Sequence, residues 1–193
     1  MMAAEPRRTI GRQEYLALER RGAEKHEYIA GEIVAMVGAS FRHNLIQTRM
    51  LAALYARLRG GTCEALPSDL RVAIPALGIY TYPDITVVCG EPRFEDNEYD
   101  TLLNPLLIAE ILSPSTESYD RGLKFQRYRL IPTLQEYVLI AQERPTIEHY
   151  QRAADERWIL STYATLEVAL PLRAGACTIA LGDIYAGIAF DND

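Results

Sequence analysis

Cysteine is scarce, at three in 193 residues. Cys63, Cys89 and Cys177 stand far apart with no C-x-x-C pair, so neither a disulfide framework nor a thiolate zinc site is indicated and each is expected as a buried reduced thiol. Long apolar runs are missing too. Nothing approaches the roughly 18 to 20 residues of a membrane-spanning helix, and the basic N-terminus has no apolar segment behind it, so a cytoplasmic protein with no membrane partner is expected. Basic charge is not in excess. Lys plus Arg number 20 against 26 Asp plus Glu, a net charge of −6, which is not the footprint of a strong non-specific DNA binder. There is no repeat, low-complexity tract or Pro/Gly/Ser linker to divide the chain.

What is present is an ordinary globular composition, 49% apolar and 24% charged, enough for a real core. The length predicts one domain over about residues 10–190, with residues 1–9 and 191–193 as flexible ends. The pattern predicts a short helix over Gln13–Arg21 and a hairpin of Glu27–Ala30 with Glu32–Val37, turning at Gly31. Ser40 is a candidate N-cap for a helix of about 19 residues whose Leu51, Leu54, Tyr55 and Leu58 share a face, ending at Gly60-Gly61. Strand-like runs follow at Thr62–Leu66, Asp69–Ile74 and Ile79–Cys89, simplest as an antiparallel meander. Glu91–Asp100 reads as a solvated acidic loop.

Leu106–Leu112 predicts a strand buried on both faces, followed by a loop over Ser113–Ser118, a helix over about Tyr119–Leu130 and an interior strand at Glu136–Ala141. The last third alternates short strands, Thr146–Gln151, Arg157–Tyr163, Glu167–Leu172 and Cys177–Ala180, closing on a helical turn over Asp183–Ile188. The order α-β-β-β-α-β with a β-rich tail is an α+β or mixed α/β layer fold.

Two acids sit where burial makes them costly. Glu110, inside Leu107-Ile108-Ala109-Glu110-Ile111-Leu112, would lose several kcal/mol of hydration unless a cation or donors met it. Asp84 follows Pro83, which lacks a ladder donor and marks an edge, bulge or strand start that would aim the carboxylate into a cleft. Lys124 lies on the helix that must pack beside the Glu110 strand, within reach of both acids. Taken singly, these residues also read as a strand-edge acid, a structural ion pair and a solvated lysine. Other candidates are weaker. His43 at a helix start is read as a cap, a phosphate contact or packing, with no catalytic role. The absence of G-x-S-x-G makes Ser113 and Ser115 loop and capping residues. Arg121, Lys124, Arg127 and Arg129 form either a local basic helix or a solvated face.

Together, Tyr82-Pro83-Asp84-Ile85, Ala109-Glu110-Ile111-Leu112-Ser113-Pro114-Ser115-Thr116 and Asp120-Arg121-Gly122-Leu123-Lys124 with Tyr128 resemble the Uma-type family, described as restriction endonucleases, a branch of the PD-(D/E)xK nucleases. The Glu27–Ile33 stretch and His43 are similar to that family's N-terminal pattern, and the resemblance runs from about Glu14 to Ile188. It implies a restriction-endonuclease-like core with Asp84 and Glu110 as divalent-metal ligands, Glu27 as a further one, and Lys124 as the matching lysine. The superfamily's usual lysine position, two residues after the Glu, holds Leu112 here.

Hard oxygen ligands suit Mg²⁺ or Mn²⁺, and such a metal would activate water and neutralise a phosphodiester. A metal-dependent DNA endonuclease is thus the first expectation. A nuclease-fold module with weak or lost catalysis, or a hydrolase of a smaller phosphoester, is the alternative. Double-strand cutting would favour a homodimer; Trp158, Tyr163 and Tyr185 are read either as an interface or, in preference, as the core of the tail.

Overall fold

The computed structural model describes residues 9–36 and 38–190. The ends expected to be flexible fall mostly outside them. Helix α1 (Arg12–Glu19) leads into a hairpin of β1 (His26–Ile29) and β2 (Glu32–Ala35), turning where Ala30 (φ 51°) and Gly31 (φ 100°) both take left-handed conformations. That pair of positive φ values is the turn which matches strand twist, and glycine fills its second position without strain. Helix α2 (Phe41–Leu58) begins where predicted, its His43 amide donating to Ser40 Oγ at 3.1 Å. It buries Ile46, Met50, Leu54 and Leu58 along one stripe.

The strands that follow do not form a meander. Strands β3 (Cys63–Pro67), β4 (Arg71–Ile74), β5 (Ile79–Thr81) and β6 (Ile85–Cys89) pair as β3 with β6 and β4 with β5. The predicted single run Ile79–Cys89 therefore breaks at Tyr82-Pro83-Asp84, because proline cannot continue the ladder and the chain crosses there between two sheets. A five-stranded sheet has the order β2-β1-β5-β4-β7, where β7 is Thr101–Leu102. A six-stranded sheet runs β11-β10-β9-β8-β6-β3, from β8 (Leu107–Ile111), β9 (Glu136–Ile140), β10 (Ile147–Arg152) and β11 (Trp158–Tyr163). Strands β12 (Ala169–Leu172) and β13 (Cys177–Ala180) form a separate pair, with the short helix α5 (Leu181–Ile184) after it.

Strand β8 runs antiparallel to β6 and parallel to β9. Parallel neighbours need a crossover, supplied by a helical stretch of α3 (Glu117–Tyr119), a π-helical turn (Asp120–Lys124) and α4 (Phe125–Tyr128). Its end at Tyr128 falls two residues short of the predicted Leu130. The six-stranded sheet has a core on each face. Leu107, Ala109 and Ile111 pack with α2, β12, β13 and α5; Ile108 packs with Tyr128, Ile131, Leu134 and with Val72, Ile74 and Ile79 of the smaller sheet. Alternation along β8 puts Glu110 on this second side. The result is the predicted mixed α+β architecture of sheets flanked by helices.

Cys63 and Cys89 are direct cross-strand partners and are joined as a disulfide, leaving Cys177 free. The expectation of three separate thiols missed this because residues 26 apart become neighbours only once β3 pairs with β6. A cytoplasmic setting, where such bonds are rare, would hold the two as adjacent thiols. The acidic loop is also less free than predicted: Asp96 and Asp100 both bind Arg20, and Glu95 accepts from Tyr80. Of the tail aromatics, Tyr185 is buried and Trp158 packs edge-on against Phe125, while Tyr163 packs near His149. Among the described residues no helix is long and apolar enough to cross a membrane.

Candidate active site

Asp84 sits at the crossing point between the two sheets, one residue before β6, and β8 lies alongside. Its Oδ2 accepts from the Ile111 backbone N–H at 2.7 Å and lies 3.1 Å from His43 Nε2. Its backbone is held as well: Gln47 Nε2 donates to Asp84 O at 2.7 Å, and Asp84 N–H reaches Glu110 Oε2 at 3.4 Å. Asp84 and Glu110, 26 residues apart in sequence, are thereby adjacent.

Glu110 is 3% exposed. Its Oε1 accepts from Lys124 Nζ at 2.9 Å and from Tyr128 OH at 2.9 Å, while Thr81 Oγ1 lies 2.9 Å from the same phenol. Lys124, 9% exposed, also reaches Asp120 Oδ1 at 3.4 Å. Lys124 and Asp120, four residues apart, lie on the inner side of the π turn together, a form that recurs at functional sites. Tyr137 OH fixes the turn by donating to the Asp120 carbonyl at 3.0 Å.

Burial pushes the Glu110 carboxyl up, to about 8, against the pull of Lys124 and with the help of Asp84 and Asp120. Burial likewise raises Asp120 above the usual carboxylate range. For Lys124 burial alone would lower the ammonium, but Glu110, Glu27 and Asp120 outweigh it and hold it well above its ordinary value. The cluster is thus short of positive charge: Asp84, Glu110 and Asp120 share one ammonium, with Glu27 close enough to act on it.

This donor set fits a divalent cation of the Mg²⁺ class. Among the described residues nothing donates to Asp84 Oδ1, and Glu110 Oε2 has only the long contact from Asp84 N–H. Both are hard oxygens, and the local charge deficit is what such an ion would offset. Among the described residues, however, no three His, Cys, Asp or Glu side chains gather as a metal-holding group, so Glu27 does not close a three-carboxylate set with the other two. Glu27 stands on β1, half-buried, and is felt by Lys124, Tyr128 and Tyr119.

Sequence reasoning gave His43 no catalytic role and overlooked Gln47. Their spacing, i and i+4 on α2, is the one signal that could have paired them. Tyr128 and Asp120 were quoted only as parts of a motif. The expected basic helix is largely spoken for: Arg121 binds Glu117 and Glu148, Arg127 donates to Tyr119 OH, Lys124 is buried, and Arg129 alone stays exposed.

The profile of the Uma2 family, described as putative restriction endonuclease, matches residues 12–180. Two uncharacterized proteins of Synechocystis sp. are similar: sll1609, 40% identical over 161 residues that cover 83% of this chain and 91% of the relative, and slr1290, 39% identical over 178 residues that cover 92% of each. The crystal structure of a putative nuclease belonging to DUF820 from Anabaena variabilis superposes with a TM-score of 0.74 at 19% identity, covering 92% of this chain and 98% of that one, a likeness of fold. With most of its length matched by the profile, and with relatives near 40% identity along nearly all of it, the chain belongs to the Uma2 family of putative restriction endonucleases.

Proposed function

We propose that this protein is a metal-dependent endonuclease that hydrolyses phosphodiester bonds of DNA, with Asp84 and Glu110 holding Mg²⁺ or Mn²⁺ and Lys124 beside the attacking water. The supporting observation is the meeting of these three residues, from a sheet crossing, a strand and a π turn, within direct hydrogen-bonding reach: Asp84 N–H to Glu110 Oε2 at 3.4 Å and Lys124 Nζ to Glu110 Oε1 at 2.9 Å. The metal would supply charge neutralisation and an activated water. The chain supplies the rest. Ile111 N–H and His43 fix one oxygen of Asp84, Tyr128 and Lys124 fix one oxygen of Glu110, and Asp120 restrains the ammonium that would stabilise developing charge. Glu27, whose charge is felt by Lys124, would hold a metal-bound water rather than the ion itself. A DNA substrate is consistent with a cytoplasmic location, and double-strand cutting would take two such sites, so a homodimer belongs to the proposal.

A second reading has one observation in its favour. With no three-side-chain metal group gathered among the described residues, the fold would serve as a weakly active or inactive module, or act on a smaller phosphoester. Incubation of supercoiled plasmid with purified protein, with Mg²⁺, Mn²⁺ or EDTA, separates the two. We expect nicking that needs metal and falls at least about 100-fold in Asp84→Ala, Glu110→Ala and Lys124→Ala, the scale of losing a transition-state contact. Nicking that survives EDTA or all three substitutions rejects the proposal, and no nicking by the unmodified protein favours the module. Sedimentation giving only monomer at working concentration removes the dimer.

A further inference from the structure

We infer that helix α2 is a clamp on the metal ligand Asp84, and that His43 is its positioning residue, donating from Nε2 to Asp84 Oδ2 so that Oδ1 alone is turned to the metal. The inference rests on the reading of Asp84 as a metal ligand and goes beyond it by naming what aims that ligand. Six contacts carry it. The Asp84 Oδ2 atom already accepts a 2.7 Å bond from Ile111 N–H, and His43 Nε2 closes on the same oxygen at 3.1 Å. One turn further along α2, Gln47 Nε2 binds the Asp84 backbone carbonyl at 2.7 Å, so a single helix face holds both the side chain and the main chain of this residue. His43 itself is 9% exposed and is fixed from behind, its amide bonded to Ser40 Oγ. Ser40 Oγ in turn donates to Gln142 Oε1 at 2.9 Å, and Gln142 Nε2 donates to Leu112 O at 2.6 Å, just past the strand that carries Glu110.

The other ring nitrogen, His43 Nδ1, is buried with no hydrogen-bond partner among the described residues. Donation from Nε2 to a carboxylate therefore defines the tautomer: Nε2 carries the hydrogen in the neutral ring. A ring serving as a metal ligand through Nε2 would need that position unprotonated, so the two roles are chemically exclusive. Carboxylates that orient a ligand, or groups that orient a ligating carboxylate, commonly matter 10-fold to 100-fold in metal affinity or activity. Pro83, lacking an N–H, and the crossing between sheets leave the Asp84 segment without a ladder of its own, which is why an external clamp is needed.

The test has two arms on the full-length protein. In the metal-free protein, long-range proton–nitrogen NMR of the imidazoles identifies the tautomer; with three histidines in the chain, His43→Gln assigns the signal directly. A hydrogen on Nε2 is expected, and an Nε2 without one overturns the inference. In the second arm Mn²⁺ is titrated calorimetrically into the unmodified protein, His43→Ala, His43→Gln and Gln47→Ala, alongside thermal melting without metal. His43→Ala is expected to weaken Mn²⁺ 10-fold to 100-fold, while His43→Gln, whose Nε2 can donate along the same path, stays within about 3-fold of the unmodified protein. Unchanged Mn²⁺ affinity in His43→Ala overturns the inference, as does failure of Gln to restore what Ala loses while melting is preserved. Should His43→Ala not fold, His43→Gln and the tautomer still decide. Mn²⁺ binding that follows this pattern without plasmid nicking would reject the nuclease reading and leave the clamp standing; no Mn²⁺ binding by the unmodified protein overturns both.

Discussion

Lys124 and Glu110 depend on each other. Each is almost fully buried, and an ion pair in that setting is less a source of net stability than a debt owed by both partners when one is removed. Lys124→Met leaves Glu110 and Asp120 facing one another without a cation, and it should lower unfolding free energy at pH 7 by about 3 kcal/mol. Part of that loss should return in the double variant Lys124→Met/Glu110→Gln, which replaces the buried acid left without its cation. Urea unfolding of the two single variants and the double one measures the coupling; a strictly additive result would mean that the two groups do not interact. The sequence made these residues legible because a Glu inside an apolar run and an Asp after a proline are expensive unless used. His43 was not legible. Nothing within its own stretch distinguishes a helix-start histidine that packs from one that grips an acid 41 residues away.

At the scale of elements, Glu136 joins β9 to the turn after β12. Fully buried, it accepts from Arg173 N at 3.0 Å and Ala174 N at 2.8 Å and pairs with His149 at 2.9 Å. Burial would raise its carboxyl, but the bonds from His149 and the two amides outweigh burial and hold it below the usual range. A folded-state value below the unfolded one means that the anion favours the fold, so this contribution is present at neutral pH and is lost as the pH falls below about 4. Glu136→Gln puts an amide donor where backbone donors already point. It should cost about 2 kcal/mol at pH 7 and flatten the acid limb of a stability–pH curve measured by urea unfolding; an unchanged acid limb would place the acid sensitivity elsewhere. Most elements were readable from periodicity, including the Ser40-capped helix and the β8–β9 crossover pair. The pairing of β3 with β6, and of β4 with β5, was not, because short apolar strands match several partners equally well until the break at Pro83 sends β5 and β6 to different sheets.

Across the whole molecule, a net charge of −6 must be reconciled with the polyanionic substrate proposed for the protein. The crossover helix carries four basic residues, yet ion pairs with Glu117 and Glu148 occupy Arg121, the phenol of Tyr119 occupies Arg127, and Lys124 is turned inward. Few cations remain there to displace counterions from a nucleic acid. On the proposed function, affinity should then come chiefly from a metal held by Asp84 and Glu110, with geometry rather than bulk charge bringing the phosphate in. Binding of a fluorescent duplex, followed by anisotropy with Ca²⁺ standing in for Mg²⁺ or with EDTA, should be detectable only with the cation. The log–log salt dependence should be shallow, about 3 or less in magnitude, since each neutralised phosphate adds about 0.9. A slope near 6 or steeper, or equal binding in EDTA, would require a basic surface away from this helix and would separate recognition of the nucleic acid from the carboxylate site.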